Sequence, residues 1–178
     1  MTGAISQEQL SSTEVALFRR VMGRFTTGVT VITAEIGGYV RGMTANAFMS
    51  ASLSPPLCII SVATKARLHD ALLKASYFGV SILAQEQEAI SLHFSGRGAE
   101  RSKVDFEYLA RVPVLRRASA VIAARIEKSY DCGDHTLFVG HIMQMRDDNR
   151  TPLVYQSGRY GTFVPFAEQA GGSTIEFW

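Results

Sequence analysis

Arg41-Gly42-Met43-Thr44-Ala45-Asn46-Ala47-Phe48-Met49-Ser50-Ala51-Ser52-Leu53-Ser54-Pro55-Pro56-Leu57 is the stretch on which the fold turns. A buried strand is rich in Val and Ile. This one is mostly small and hydroxyl-bearing residues, with one Asn and one Phe, and it ends in Pro55-Pro56. Thr44, Asn46, Ser50, Ser52 and Ser54 fall at even positions, so an unbroken strand would put them on one face. Small side chains let a flat ligand lie against the main chain, and a polar face suits a ligand rich in hydrogen-bonding edges. A strand turning a barrel corner explains the same pattern by packing alone. This stretch by itself leaves both readings open.

Upstream, Ser11 and Glu14 form a capping-box signature. Val15, Phe18, Val21, Met22 and Phe25 follow it at helical spacing, so a helix is expected over 12–24. A β-branched strand at 29–34, the Gly37-Gly38 turn and a strand from Tyr39 read as a hairpin. Downstream, 57–62 is an apolar strand. Thr64 then opens a helix to Lys74, with Leu68, Ala71, Leu72 and Ala75 on one face. A strand at 77–83 and a helix at 85–94 follow, with Gly96 past the helix end. Residues 95–108 are polar and loop-like, and a short strand is expected at 112–115. Two long strands, 121–130 and 136–145, flank the turn Cys132-Gly133-Asp134. In the first, Ile122, Ala124 and Ile126 alternate with Arg125, Glu127 and Ser129. In the second, Leu137, Val139, Met143 and Met145 share a face. A last strand covers 153–156. Many short strands, few helices and no βαβ alternation indicate a mainly β barrel or sandwich. The expected organisation is a frayed tail over 1–10, one domain over 11–166 and a loose tail over 167–178.

The chain has 178 residues, enough for one domain with a sizeable core. Hydrophobic residues are 47% and charged residues 19%, the balance of a globular protein. A net charge of +2 with no Lys/Arg run gives no argument for nucleic acid. Cys58 and Cys132 make neither a disulfide framework nor a metal-ligand pattern. No apolar run approaches the roughly 20 residues a membrane span needs. The N-terminus lacks a signal-peptide pattern, so the expected compartment is the cytoplasm.

The segment Ser61-Val62-Ala63-Thr64-Lys65-Ala66-Arg67-Leu68-His69 is read as a strand meeting a helix N-terminus, an arrangement that binds phosphate. An ordinary cap with solvated cations is the alternative. His69 and His93 read as surface or boundary residues, and His141 as a sheet residue. His135 stands in a turn beside Asp134, where it is either presented to a pocket or part of a common Gly-Asp hairpin. On the residues alone the hairpin outweighs the pocket. No nucleophile elbow, Walker loop, dinucleotide fingerprint or paired carboxylates are present, and no metal site is expected. An enzyme built this way leaves the chemistry to a bound cofactor.

Several segments, taken in order, resemble the short-chain flavin reductases with a split-barrel flavin-binding fold. These are the reductase components of two-component flavin-dependent monooxygenases, such as that of 4-hydroxyphenylacetate hydroxylase. The resemblance spans about residues 16–165. It is carried by Phe25-Thr26-Thr27-Gly28-Val29-Thr30-Val31-Ile32-Thr33, Gly42-Met43-Thr44-Ala45-Asn46-Ala47-Phe48 and Leu53-Ser54-Pro55-Pro56. His69-Asp70-Ala71-Leu72, Phe78-Gly79-Val80-Ser81-Ile82-Leu83 and Gly133-Asp134-His135-Thr136-Leu137-Phe138-Val139-Gly140 continue it. Pro152-Leu153-Val154-Tyr155 and Gly158-Arg159-Tyr160-Gly161 close it.

The resemblance implies an antiparallel split β-barrel with a few flanking helices, assembled as a homodimer. FMN or FAD would be the flavin and NADH or NADPH the hydride donor. Thr44, Ala45, Asn46, Ala47 and Phe48 would lie along the isoalloxazine. Ser61, Val62, Ala63 and Lys65 would meet the ribityl chain and phosphate. Phe94, Ser95 and Lys103 would close over the phosphate or adenylate, and Tyr160 would stand near the flavin. Gly133, Asp134 and His135 would face the nicotinamide, with His135 orienting it during hydride transfer. This reverses the weighing of His135. Reduced flavin would pass to a partner monooxygenase. A non-catalytic FMN carrier and a split-barrel oxidase of another small molecule are the competing functions. Relatives usually carry a basic residue followed by Phe where this chain has Lys103-Val104, which leaves FMN and FAD both open. The sequence places no arginine cluster for a 2′-phosphate, which favours NADH.

Overall fold

The computed structural model describes residues 10–98 and 104–165. The expected tails lie almost wholly outside these residues, as does Lys103. Helix α1, Ser12–Met22, begins as the sequence indicates: Ser11 Oγ accepts from the Glu14 amide, and the Glu14 carboxylate accepts from the Ser11 amide at 2.8 Å. None of its residues is buried.

The protein is mainly β. Its principal sheet has seven antiparallel strands: β2 (Thr30–Ile36), β3 (Tyr39–Ala45), β4 (Phe48–Leu53), β5 (Pro56–Ala63), β6 (Tyr77–Ile82), β9 (Ala120–Cys132) and β10 (His135–Asp147). Their order is β3-β2-β6-β9-β10-β5-β4. The Gly37-Gly38 hairpin forms as expected, with φ of 59° and 80° that an L side chain rarely adopts. Three strands make a second sheet: β1 (Thr27–Gly28), β11 (Leu153–Gln156) and β12 (Arg159–Thr162). Phe106–Leu109 and Val112–Leu115, β7 and β8, form a hairpin, so part of the expected 95–108 loop is strand. Helices α2 (His69–Lys74) and α3 (Glu88–Phe94) complete the set, α3 preceded by a 3-10 turn at Gln85–Gln87.

The largest core cluster sits on one face of the large sheet, around Ile32, Cys58, Ile60, Val62, Phe78, Val80 and Phe138, with Leu68 just before α2 and Leu72 within it; smaller buried clusters, Val121 and Ala123 with Val112 and Val114, and Val31 with Leu83 and Leu115, lie on the other side. It is dense enough that glycine is required where strands approach: a Cβ on Gly140 would stand 2.5 Å from the Phe78 ring. Burial of Cys58 pushes its thiol up to about 11, so it behaves as a small apolar residue.

Three expectations are corrected. The stretch from Thr44 to Ser54 is not one strand with one polar face. It breaks at Asn46-Ala47 between β3 and β4, and the pairing of β4 with β5 shifts register between Ser50 and Ser52. These consecutive strands lie at opposite edges of the sheet, so a two-residue corner spans it, and no ladder joins the edges among the described residues. Second, no helix starts at Thr64: α2 begins at His69, without a side-chain cap. Third, β10 turns Thr136, Phe138 and Gly140 inward, whereas Leu137 and Val139 are half-buried and Met143 and Met145 exposed. They do not share one face: the bulge between Ile142 and Gln144 sets Met145 opposite Ile122, on the side of Phe138, away from Leu137 and Val139.

Candidate active site at the ends of strands β5 and β10

Strands β5 and β10 pair Ser61 with Leu137, Val62 with Thr136 and Ala63 with His135. Just beyond, the Thr64 amide and hydroxyl both donate to the Asp134 carbonyl, at 3.0 and 3.2 Å. Thr64 is therefore spent on holding the Gly133-Asp134 turn. That turn has only two residues, with Gly133 at φ 61°, and His135 already pairs with Cys132 as the first residue of β10. His135 Nδ1 lies 2.7 Å from Asp134 Oδ1, and the His135 side chain is 42% exposed, open to an incoming molecule. The bond to His135 draws the Asp134 carboxyl below the ordinary carboxylate range, and the nearby Lys65 charge adds to this.

The corner between β3 and β4 comes to the same place. The Ser61 amide donates to the Ala47 carbonyl at 3.0 Å, and Phe48 packs against the core beside Ile60. Asn46 and Ala47 are exposed. Among the described residues the Asn46 amide, the Ser61 hydroxyl and the Lys65 ammonium engage no hydrogen-bond partner. Val62 offers only its main chain, because its side chain is in the core. An amide, a hydroxyl and an ammonium in that order suit a heteroaromatic edge, a polyol chain and a phosphate. This donor set fits a flavin mononucleotide unit.

A second group gathers on α3. Thr44 Oγ1 donates to the Ser91 carbonyl at 2.7 Å, and the buried Ser91 hydroxyl lies 2.8 Å from the Tyr160 hydroxyl. Phe94 lies over Gly42, where a Cβ would stand 2.5 Å from its ring. The Ser95 hydroxyl donates back to Leu92 O at 3.0 Å. The hydroxyls of Thr44 and Ser95 thus serve the protein, and Ala45 ends β3 opposite Thr30. Tyr160 and Asn46 line one open cleft of about 1670 Å³, walled on its far side by the end of α1 and the β11–β12 turn.

Sequence reasoning missed two features. His69 is buried, with Nε2 2.9 Å from the Thr136 hydroxyl and its ring edge-on to Phe138. It ties α2 to β10 one residue from His135. The partner is 67 residues away, and only the His-Asp motif marked the position. The other feature is an arginine cluster: Arg19, Arg20, Arg24 and Arg159 all line the cleft.

Comparison with known proteins shows the family. The flavin reductase like domain model matches residues 22–163. An NADH-dependent flavin reductase of Rhodococcus sp is 41% identical over 145 residues, covering 80% of this chain and 82% of its own. The reductase component of 4-hydroxyphenylacetate 3-monooxygenase from Thermus thermophilus is 40% identical, covering 83% and 95%. The NADH:FAD oxidoreductase SgcE6 of Streptomyces globisporus, solved with NAD and FAD fragments, superposes with a TM-score of 0.79 at 36% identity, over 91% of this chain and 100% of that one. With a family model matching most of its length and relatives of this closeness, the chain belongs to the flavin reductase family.

Proposed function

We propose that this protein is an NADH:flavin oxidoreductase that supplies reduced flavin to a partner monooxygenase. One observation carries the reading: the β3–β4 corner, the Ser61–Lys65 segment and the Gly133-Asp134-His135 turn are hydrogen-bonded to one another at one end of β5 and β10. Bound flavin supplies the acceptor for a hydride from the reduced nicotinamide. The protein's own contribution is placement. Asn46 and the main chain of Ala45–Phe48 take the ring edge, with Thr44 fixing that strand end to α3. Ser61, Ala63 and Lys65 take the ribityl chain and phosphate. Phe94 and Tyr160 bound the site from α3 and β12. His135, held by Asp134, orients the nicotinamide face to face with the ring, and the Gly133 turn leaves room for it. FMN and FAD both fit this donor set.

The finer architecture is part of the same reading. The seven-stranded sheet curls at the Asn46-Ala47 corner as a split barrel, and the protein works as a cytoplasmic homodimer. Met49, Ile59 and Val139 stand in one row across β4, β5 and β10, on the outer face. By strand alternation Ser61, Ala63, Leu137 and His135 share that face. A second copy seated on the apolar row would therefore border the flavin site.

The test is oxidation of NADH and NADPH by the purified protein with FMN, FAD or riboflavin, beside a flavin-free blank. Turnover that saturates with flavin is expected, with His135→Ala losing NADH oxidation while retaining flavin binding. Tight flavin binding without accelerated NADH oxidation would overturn the reductase reading in favour of a carrier.

A further inference from the structure

The β7–β8 hairpin lies over β2 and β6, where the Thr33 hydroxyl donates to the Pro113 carbonyl and the Gly79 main chain passes close by. A cleft of about 500 Å³ opens between the tip of this hairpin, the Gly37-Gly38 turn and the start of β6. It shares no residue with the flavin site or with the arginine cleft, and its size suits a small organic molecule. Glu35, Tyr77, Tyr108 and Arg111 supply its chemistry. Tyr77 is 46% exposed and Tyr108 59%, so both rings offer flat surface. The Tyr108 hydroxyl donates to Glu35 Oε2 at 2.8 Å, which fixes that ring and leaves Oε1 as an acceptor. Arg116, Arg125, Arg146 and Arg150 each sit against a carboxylate. Among the described residues Arg111 has no such partner, Glu35 included.

The Arg111 backbone carries a second sign. Leu109 pairs with Val112, so Ala110 and Arg111 are the two central residues of the turn, and both have positive φ, 45° and 68°. A turn of this kind favours Asn-Gly or Gly-Gly. The chain does place glycines in the other hairpin turn that lines the cleft, at 37 and 38. Residues held in the left-handed region cluster at ligand sites, where the side chain is needed in spite of the strain. At position 111 the strained residue presents a guanidinium that glycine could not.

We propose that this cleft binds a small aromatic acid carrying a hydroxyl or amino group on its ring. The carboxylate meets the Arg111 guanidinium in paired hydrogen bonds. The ring packs against Tyr77 and Tyr108, and its substituent donates to Glu35. An inorganic anion would leave the rings bare, and an aromatic hydrocarbon would leave the guanidinium without a counter-charge.

The test is nitrogen–proton correlation NMR of the full-length protein titrated with 4-hydroxybenzoate, and with cyclohexanecarboxylate as a non-aromatic acid. Saturable shifts are expected at the Gly37, Gly38 and Tyr77 amides, with the non-aromatic acid about fivefold weaker. Arg111→Gly removes the guanidinium and relaxes the turn. It should weaken binding by roughly tenfold or more and raise the melting temperature by about 2 °C. Arg111→Asn also tolerates positive φ and should weaken binding to the same degree. Absence of saturable shifts in the wild type overturns the proposal. Equal affinity for the two acids does so too, as does a dissociation constant within about twofold of the wild type in either variant. A lower melting temperature for Arg111→Gly counts against it as well, since the arginine would then stand in the turn for stability. Shifts confined to the Asn46, Ser61 and His135 amides would put the acid in the flavin site and likewise overturn the assignment.

Discussion

Replacing His69 by Leu probes how the core holds the His135 end of β10. His69 is 8% exposed and Thr136 2%, and Nε2 lies 2.9 Å from the hydroxyl. Leucine fills much of the space beside Phe138 but offers no polar atom. The Thr136 hydroxyl is then buried without this partner, at a cost of about 1–3 kcal/mol. Thr136→Val leaves the imidazole nitrogen in the same position, at a similar cost. Removing both partners leaves an apolar pair of about the right volume, and the desolvation penalty is not incurred twice. The double variant should therefore cost less than the sum of the singles, with a coupling of about 0.5–3 kcal/mol. Urea unfolding followed by circular dichroism gives the four free energies by linear extrapolation. All four proteins should be compared at one concentration, because self-association shifts apparent stability. Additivity within about 0.3–0.5 kcal/mol would refute the argument. The two side chains would then be independent core residues, and His69 would not anchor the strand that begins with His135.

Gly79→Ala should be the most damaging single methyl in the fold. The added Cβ would collide with the Pro113 carbonyl oxygen and stand 2.6 Å from Thr33 Oγ1, the buried hydroxyl that donates to that same carbonyl. Overpacking and a disturbed buried hydrogen bond together cost about 2–6 kcal/mol, a melting temperature lower by roughly 10 °C; a fall of less than about 2 °C in a thermal scan contradicts the packing described. The Asp134 carboxyl is held low chiefly by its bond to His135. A group depressed in the folded state contributes stability that is present above its unfolded pKa and lost as pH falls through the folded value. Carboxyl-carbon NMR should find Asp134 titrating below the ordinary aspartate range and returning toward it in His135→Ala; an equal midpoint in both proteins would remove the pairing.

Local chemistry in this chain was legible wherever a few adjacent residues settle the backbone. Ser11 and Glu14 start α1 because each satisfies the other's amide. Gly37-Gly38 closes a hairpin because both residues take positive φ. The errors arise where partners are distant. Thr64 looks like a helix cap to its neighbours, but its amide and hydroxyl are taken by Asp134, 70 positions on. The β10 pattern misled for a related reason. Alternation alone puts Leu137, Val139, Met143 and Met145 on one face, and the bulge between Ile142 and Gln144 breaks it. The core takes the face of Thr136, Phe138 and Gly140, since Gly140 admits the Phe78 ring and Thr136 finds His69. A small residue and a satisfied polar one are inward-facing here, and neither scores as hydrophobic.

The site divides in the same way. The residues proposed for the ring edge and the ribityl chain lie in two short runs that the family resemblance marks residue by residue, and the fold then brings the runs together through β5 and β10. The arginines of the cleft carry no local signature. Arg19, Arg20 and Arg24 read as the basic end of a helix, where cations suit the dipole. Arg159 reads as an ordinary residue after a Ser157-Gly158 turn. Only the bonds from Ser157 to Gly23, across 134 positions, make one group of them. That contact also gives α1 a reason to be where it is. No residue of the helix is fully buried, and of its apolar side chains only Val15 and Leu17 are half-buried, so hydrophobic burial within the chain holds it weakly. What its last turn contributes is charge at the rim of a cleft that already contains Asn46 and Tyr160.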